Sequence, residues 1–121
     1  MINHINITVH NLEQSVAFYE KVLAPLGYHK QIVTDNAVSF SDDISSDPGG
    51  DLWLTSGDPV PGHFAFQATD HKKVQNFFEL GIKCGGRSNG APDYRKKYHS
   101  NYYAAYIYDP DGYNIEAVCH D

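Results

Sequence analysis

The chain has 121 residues, is 41% hydrophobic and 20% charged, and sets nine basic against fifteen acidic residues for a formal charge of −6. That predicts one globular domain with its own core. The acidic balance, with no basic run longer than Arg95-Lys96-Lys97, argues against nucleic acid or an anionic membrane as the main partner. No apolar run approaches the ~20 residues a membrane-crossing helix needs, and no signal-peptide pattern opens the sequence. Two cysteines, Cys84 and Cys119, make no disulfide framework, so a cytoplasmic, reduced protein is expected.

Residues 3–10 alternate, with Ile5, Ile7 and Val9 on one face and His4, Asn6, Thr8 and His10 on the other. This predicts a half-buried strand. Asn11 is placed to cap a helix, and Leu12, Val16, Tyr19 and Leu23 give the next stretch an apolar stripe at helical spacing. Pro25 and Gly27 end it. Short extended stretches are predicted near 28–34, 37–41 and 51–56, with the polar segment 42–50 as a mobile loop.

The pattern then restarts. In residues 63–68, Phe64 and Phe66 oppose His63, Ala65 and Gln67; Asp70 is a second helix cap, with Val74, Phe77 and Phe78 directed inward from the helix behind it. A step of 59 residues takes His4 to His63, Asn11 to Asp70, Phe18 to Phe77, Tyr19 to Phe78 and Gly27 to Gly86. A step of 62 takes Asp47-Pro48-Gly49-Gly50 to Asp109-Pro110-Asp111-Gly112. Each half reads as strand, helix and three strands, an internal repeat covering residues 1–58 and 62–121. The polar segment 88–101 is read as a long loop inserted in the second half.

Two β-favouring runs, Tyr102–Tyr108 and Tyr113–Cys119, flank the turn sequence Asp109-Pro110-Asp111-Gly112 and predict a hairpin. In the second arm Ile115, Ala117 and Cys119 oppose Asn114, Glu116, Val118 and His120. A mid-strand carboxylate facing away from an apolar row needs open water or a positive partner. His4 and His63 begin the corresponding strands of the two halves, each on the polar face. If those faces line one concavity, two neutral imidazoles and the Glu116 carboxylate form a facial triad. Such a triad suits Fe(II), Mn(II), Ni(II), Co(II) or Zn(II) and leaves coordination positions open.

His4 within HINITV, the Phe18-Tyr19 helix running to Leu26-Gly27, His63 within HFAF, and DPDGYNIEAV with Glu116 together resemble the vicinal oxygen chelate superfamily. That superfamily includes glyoxalase I, extradiol dioxygenases, fosfomycin-resistance enzymes and bleomycin-resistance proteins. The resemblance covers nearly the whole chain. It implies an α+β fold of two βαβββ modules forming a cupped mixed sheet, a divalent metal on His4, His63 and Glu116, a small substrate that chelates it through vicinal oxygens, and a homodimer. Glyoxalase I adds a fourth ligand on the last strand of the first half. Here that strand offers Trp53 or Leu54, neither of which binds a metal. The pattern is therefore closer to the three-ligand dioxygenase and thiol-transferase branches.

Around the site, His99 is a candidate general acid/base. Tyr103, or its neighbour Tyr102, is a candidate donor to a metal-bound oxyanion. Arg95, Tyr98, Tyr102 and Trp53 are candidate substrate contacts, and Lys97 a further cation for a carboxylate or phosphate. His120 is assigned to the rim, His10, His29 and His71 to the surface, and both cysteines to packing. The functional expectation is a metal-dependent lyase, isomerase, dioxygenase or thiol transferase. The alternative is a bleomycin-resistance-like protein that binds a small molecule without catalysis, and a degenerate site with an antioxidant or regulatory role is a third reading.

Overall fold

The computed structural model describes residues 1–44 and 47–121. The expectation of a mobile loop at 42–50 falls partly on residues 45 and 46, which lie outside the described residues. The first half runs β1 (Ile5–Val9), α1 (Leu12–Val22), a 3-10 turn (Ala24–Leu26), β2 (His29–Val33), β3 (Ala37–Ser41) and β4 (Leu52–Ser56). The second runs β5 (His63–Gln67), α2 (His71–Lys83), β6 (Arg87–Tyr94), β7 (Tyr103–Tyr108) and β8 (Asn114–Cys119). Each half folds into a four-stranded mixed sheet, ordered β1-β4-β3-β2 and β5-β8-β7-β6. In both, the first and last strands pair in parallel and the other pairs are antiparallel. The fold is α+β, as the repeat and the family resemblance together implied.

Both helices start where the capping chemistry placed them. The Asn11 side chain accepts from the Gln14 amide at 3.0 Å and the Asp70 side chain from the Lys73 amide at 2.8 Å, each satisfying an otherwise orphaned donor. Each helix lays its apolar stripe on its sheet, and the buried residues form one cluster spanning both halves. Phe18, Tyr19, Val22, Val74 and Phe77 meet Leu52, Leu54, Ile107 and Ile115 there. Gly81 lets α2 approach β7 closely: a methyl group at that position would lie 2.1 Å from Ile107 Cδ1.

The halves are joined by polar groups as well as by the core. Tyr19 donates to Asp109 Oδ2 at 2.5 Å in a buried contact. Tyr113 donates to the Thr8 carbonyl at 2.7 Å and accepts from the Val60 amide. Asp109 itself organises the hairpin turn, its Oδ1 accepting from the amides of Asp111 and Tyr113, both at 2.9 Å.

Two expected boundaries move. Pairing in β1 begins at Ile5 opposite Leu52, so His4 precedes the strand. Residues 88–101 are not one long loop. Positions 87–94 form β6, which pairs antiparallel with β7 from Arg87 opposite Tyr108 to Tyr94 opposite Tyr103. The pairing is irregular between Ser88 and Asp93, where Gly90 and Pro92 obscure any alternation. An edge strand tolerates both residues because one of its sides needs no ladder partner. Only 95–102 remains as the connection. No helix among the described residues is long and apolar enough to cross a membrane, which does not bear on β-barrel membrane proteins.

Candidate functional site

Glu116 sits in the middle of β8, the inner strand flanked by β5 and β7, opposite Ala65 on one side and Tyr106 on the other. The sheet buries it to 2% exposure, and a carboxylate so placed requires partners. It has two. His63 Nε2 lies 3.2 Å from Oε1, and the Tyr102 hydroxyl donates to Oε2. Tyr106 is beside it, its phenol pushed up to about 12 by burial and then by the Glu116 charge. The Tyr102 phenol is raised further by burial, by its hydrogen bond to Glu116 and by that charge. Both therefore remain neutral donors at working pH.

The hydrogen bond on the far side of the imidazole decides what faces Glu116. His63 Nδ1 is 2.8 Å from the Asn114 backbone carbonyl. A carbonyl oxygen only accepts, so Nδ1 carries the proton. In the neutral ring, Nε2 then presents a lone pair to a carboxylate oxygen. That contact is favourable only with a cation between or upon them, either a proton or a metal ion. Backbone-fixed tautomers of this kind are the usual support for a metal-binding histidine. Spacing agrees: with ligand bonds of ~2.1 Å, cis octahedral or tetrahedral donor atoms stand roughly 3.0–3.4 Å apart, and this pair is 3.2 Å apart.

The third predicted ligand is elsewhere. His4 is exposed ahead of β1, and its Nδ1 donates to the Asn3 side-chain oxygen at 2.6 Å, which leaves Nε2 free. Among the described residues, no three His, Cys, Asp or Glu side chains converge on one point. A single chain thus brings together two of the three donors.

The remaining candidates separate by face. Tyr102 and Tyr106 flank Glu116. Tyr103, expected to supply a donor in the cup, points the other way: it is buried, stacks on His71 at 3.8 Å and accepts from Gln75. Strand alternation requires this, since Tyr103 belongs with Ala105 and Ile107 against α2. Tyr106 is the tyrosine of this strand that lies beside Glu116, and the register that puts it there was the missing signal. His99 touches the site through Tyr102, ring centroids 5.4 Å apart. Its Nδ1 accepts from the Asn101 amide, so Nε2 donates to His120 Nδ1 at 2.9 Å. His71, assigned to the surface, is instead half-buried against Tyr103. Arg95 and Tyr98 lie on the 95–102 connection, with Tyr98 packed on Tyr102 at 4.8 Å and Arg95 over Tyr106 at 5.3 Å. Trp53 is in the other sheet, opposite Asn6 as Glu116 is opposite Ala65. That register settles which residue occupies the first half's glutamate position.

A family model described as "Glyoxalase/Bleomycin resistance protein/Dioxygenase superfamily" matches residues 1–117. The chain belongs to that superfamily. Solved structures agree with the assignment. A glyoxalase/bleomycin resistance protein from Albidiferax ferrireducens T118 superposes with a TM-score of 0.81 at 25% identity, covering 98% of each chain. A glyoxalase/bleomycin resistance protein/dioxygenase family enzyme from Burkholderia phytofirmans PsJN shares the fold at TM-score 0.74 and 15% identity, over 99% of this chain and 98% of its own. A lactoylglutathione lyase from Agrobacterium tumefaciens does so at 0.70 and 19%, over 98% and 92%. No curated protein matches the sequence. The superfamily spans several chemistries, so membership fixes the frame and leaves the reaction to the site.

Proposed function

We propose that this superfamily member is a divalent-metal enzyme acting on a small substrate with adjacent oxygen donors, of the lyase/isomerase, dioxygenase or thiol-transferase kind. The observation that carries the proposal is the orientation of His63, whose Nδ1 is bound by the Asn114 carbonyl so that Nε2 faces the buried Glu116 oxygen at 3.2 Å, the spacing of two ligands on one ion. His63 and Glu116 would hold the ion, and His4, held away from them in one chain, would complete the set from a second copy in a homodimer. The ion would be Fe, Mn, Ni, Co or Zn and would supply Lewis acidity towards a substrate oxygen.

The residues around that centre have definable tasks. Asn114 fixes the His63 tautomer through its carbonyl. Tyr102 holds Glu116 Oε2 and so aims Oε1 at His63. Tyr106 keeps its proton and can donate a hydrogen bond to a developing oxyanion. Arg95 and Tyr98 contact substrate from the connection above, and His99 stands behind Tyr102 to exchange protons with solvent.

Metal content of chelator-free protein, by elemental analysis, is the test. Near-stoichiometric metal is expected in the wild type, with a sharp drop in Glu116→Ala and His63→Ala. Retention of metal by both variants would remove the proposed site. A metal-free wild type that gains no thermal stability from any of the five ions would leave the binding-protein reading instead.

A further inference from the structure

Glu116 is fixed by its place in the β8 ladder, between β5 and β7. The phenol that holds its second oxygen comes from outside the sheet. Tyr102 precedes β7, at the end of the 95–102 connection, and its hydroxyl donates to Glu116 Oε2. A ring placed ahead of a strand takes its direction from whatever packs against it. We infer that His99 and His120 form a clasp that seats the Tyr102 hydroxyl on Glu116, which makes His120 a positioning residue for that carboxylate.

Three rings surround the phenol. Tyr98 lies tilted against it with centroids 4.8 Å apart. His99 and His120 meet it at 5.4 and 5.5 Å, both nearly perpendicular, at 76° and 79°. These are the spacings and angles of edge-to-face aromatic pairs. Tyr98 and His99 belong to the same connection as Tyr102 and move with it. His120 does not. It follows Cys119, which is buried at the end of β8 and pairs with Tyr103, so its backbone is set by the sheet.

The two imidazoles are bound to each other in one direction. The Asn101 amide donates to His99 Nδ1 at 3.2 Å, and His99 Nε2 then donates to His120 Nδ1 at 2.9 Å, with the rings stacked at 5.1 Å. Each ring nitrogen in this series has one role, so a backbone amide fixes both tautomers. Both side chains are exposed, and water could satisfy either one alone. Pairing them achieves something water cannot: it ties the connection to the end of β8 and holds two ring faces square to Tyr102. Such outer contacts are what orient the groups that touch a reacting centre.

This inference rests on Glu116 being the working carboxylate, and metal-free protein keeps its test separate from the metal. NMR with labelled histidine and tyrosine reads it at neutral pH. In the wild type, His99 should carry its proton on Nε2 and His120 should have an unprotonated Nδ1. The Tyr102 hydroxyl proton should exchange slowly and show a contact to Glu116. His120→Leu, which keeps bulk and removes the acceptor, should speed that exchange between about two- and tenfold, the weight of one neutral hydrogen bond. The amides of Ile107 and Ile115 serve as the control for general loosening and should keep their rates. His120→Asn, whose side-chain oxygen can stand in for Nδ1, should restore the slow exchange. A proton on Nδ1 of His99, unchanged exchange in His120→Leu, equal acceleration of the core amides, or no rescue by Asn would each overturn the inference. His63→Ala, which the metal proposal predicts to lose the ion, should leave the clasp and the Tyr102 proton as they are, so the two ideas fail independently.

Discussion

Where the second sheet carries Glu116, the first carries Trp53, at the same register from the edge strand. His63 lies inside β5 and is locked by a backbone carbonyl, whereas His4 stops one residue short of β1 with only the Asn3 side chain for support. Between β2 and β3 the first half spends residues 34–36; between β6 and β7 the second spends 95–102, including Arg95, Tyr98, His99 and Tyr102. The helices differ too, since α2 has Gly81 where α1 has Val22 at the equivalent position. Two copies of one frame have divided the work. The first half contributes packing and a free imidazole, and the second contributes a buried carboxylate with the side chains that hold it.

The largest effects should come from what the halves share. Phe77, fully buried on α2, should cost roughly 3–5 kcal/mol on replacement by Ala, read as a lowered denaturant midpoint with unchanged slope. Next comes the difference in helix approach. Gly81→Ala sets a methyl against Ile107 Cδ1 in the sealed core, at a cost of about 1–3 kcal/mol. Ile107→Val removes that δ-carbon. The double variant should therefore be more stable than the sum of the single losses predicts, and strict additivity would refute the close-approach explanation.

How much of this was legible varied with the physics involved. Helix starts were readable because Asn11 and Asp70 act on amides three residues away. The repeat was readable because each element obeys its own period, and the α+β frame followed from the repeat together with the family resemblance. His63 and Glu116 stood out as polar residues on otherwise apolar strands. Strand β6 was not readable, because Gly90 and Pro92 interrupt its pattern and only pairing with β7 reveals it. Nor was the separation of His4 from His63, which depends on how two sheets are set against each other. The choice between Tyr103 and Tyr106 needed the β7–β8 register, since both lie in a run of tyrosines whose faces alternate.

The smallest predicted effects concern the contact that ties the halves together, Tyr19 to Asp109. Burial raises the Asp109 carboxyl above its ordinary 3.8, while the Tyr19 hydroxyl and the backbone amides hold it down. A carboxyl raised on folding takes up its proton sooner in the folded state than in the unfolded one. Stability from this group therefore rises as pH falls through the folded value and levels off below the unfolded 3.8; in that window the slope of stability against pH is negative. Tyr19→Phe removes a donor from a buried carboxylate, costing about 1–3 kcal/mol at neutral pH, and lets the carboxyl rise further, so its loss should shrink as the solution is acidified. Asp109→Asn cannot titrate, and the wild-type-minus-variant difference should show the negative slope directly, free of the opposite trend from other carboxylates. Urea melts at a series of pH values across and above that window measure both. If Tyr19→Phe is equally destabilising at every pH, the hydroxyl is packing against the hairpin turn, and the carboxylate is held by the Asp111 and Tyr113 amides alone.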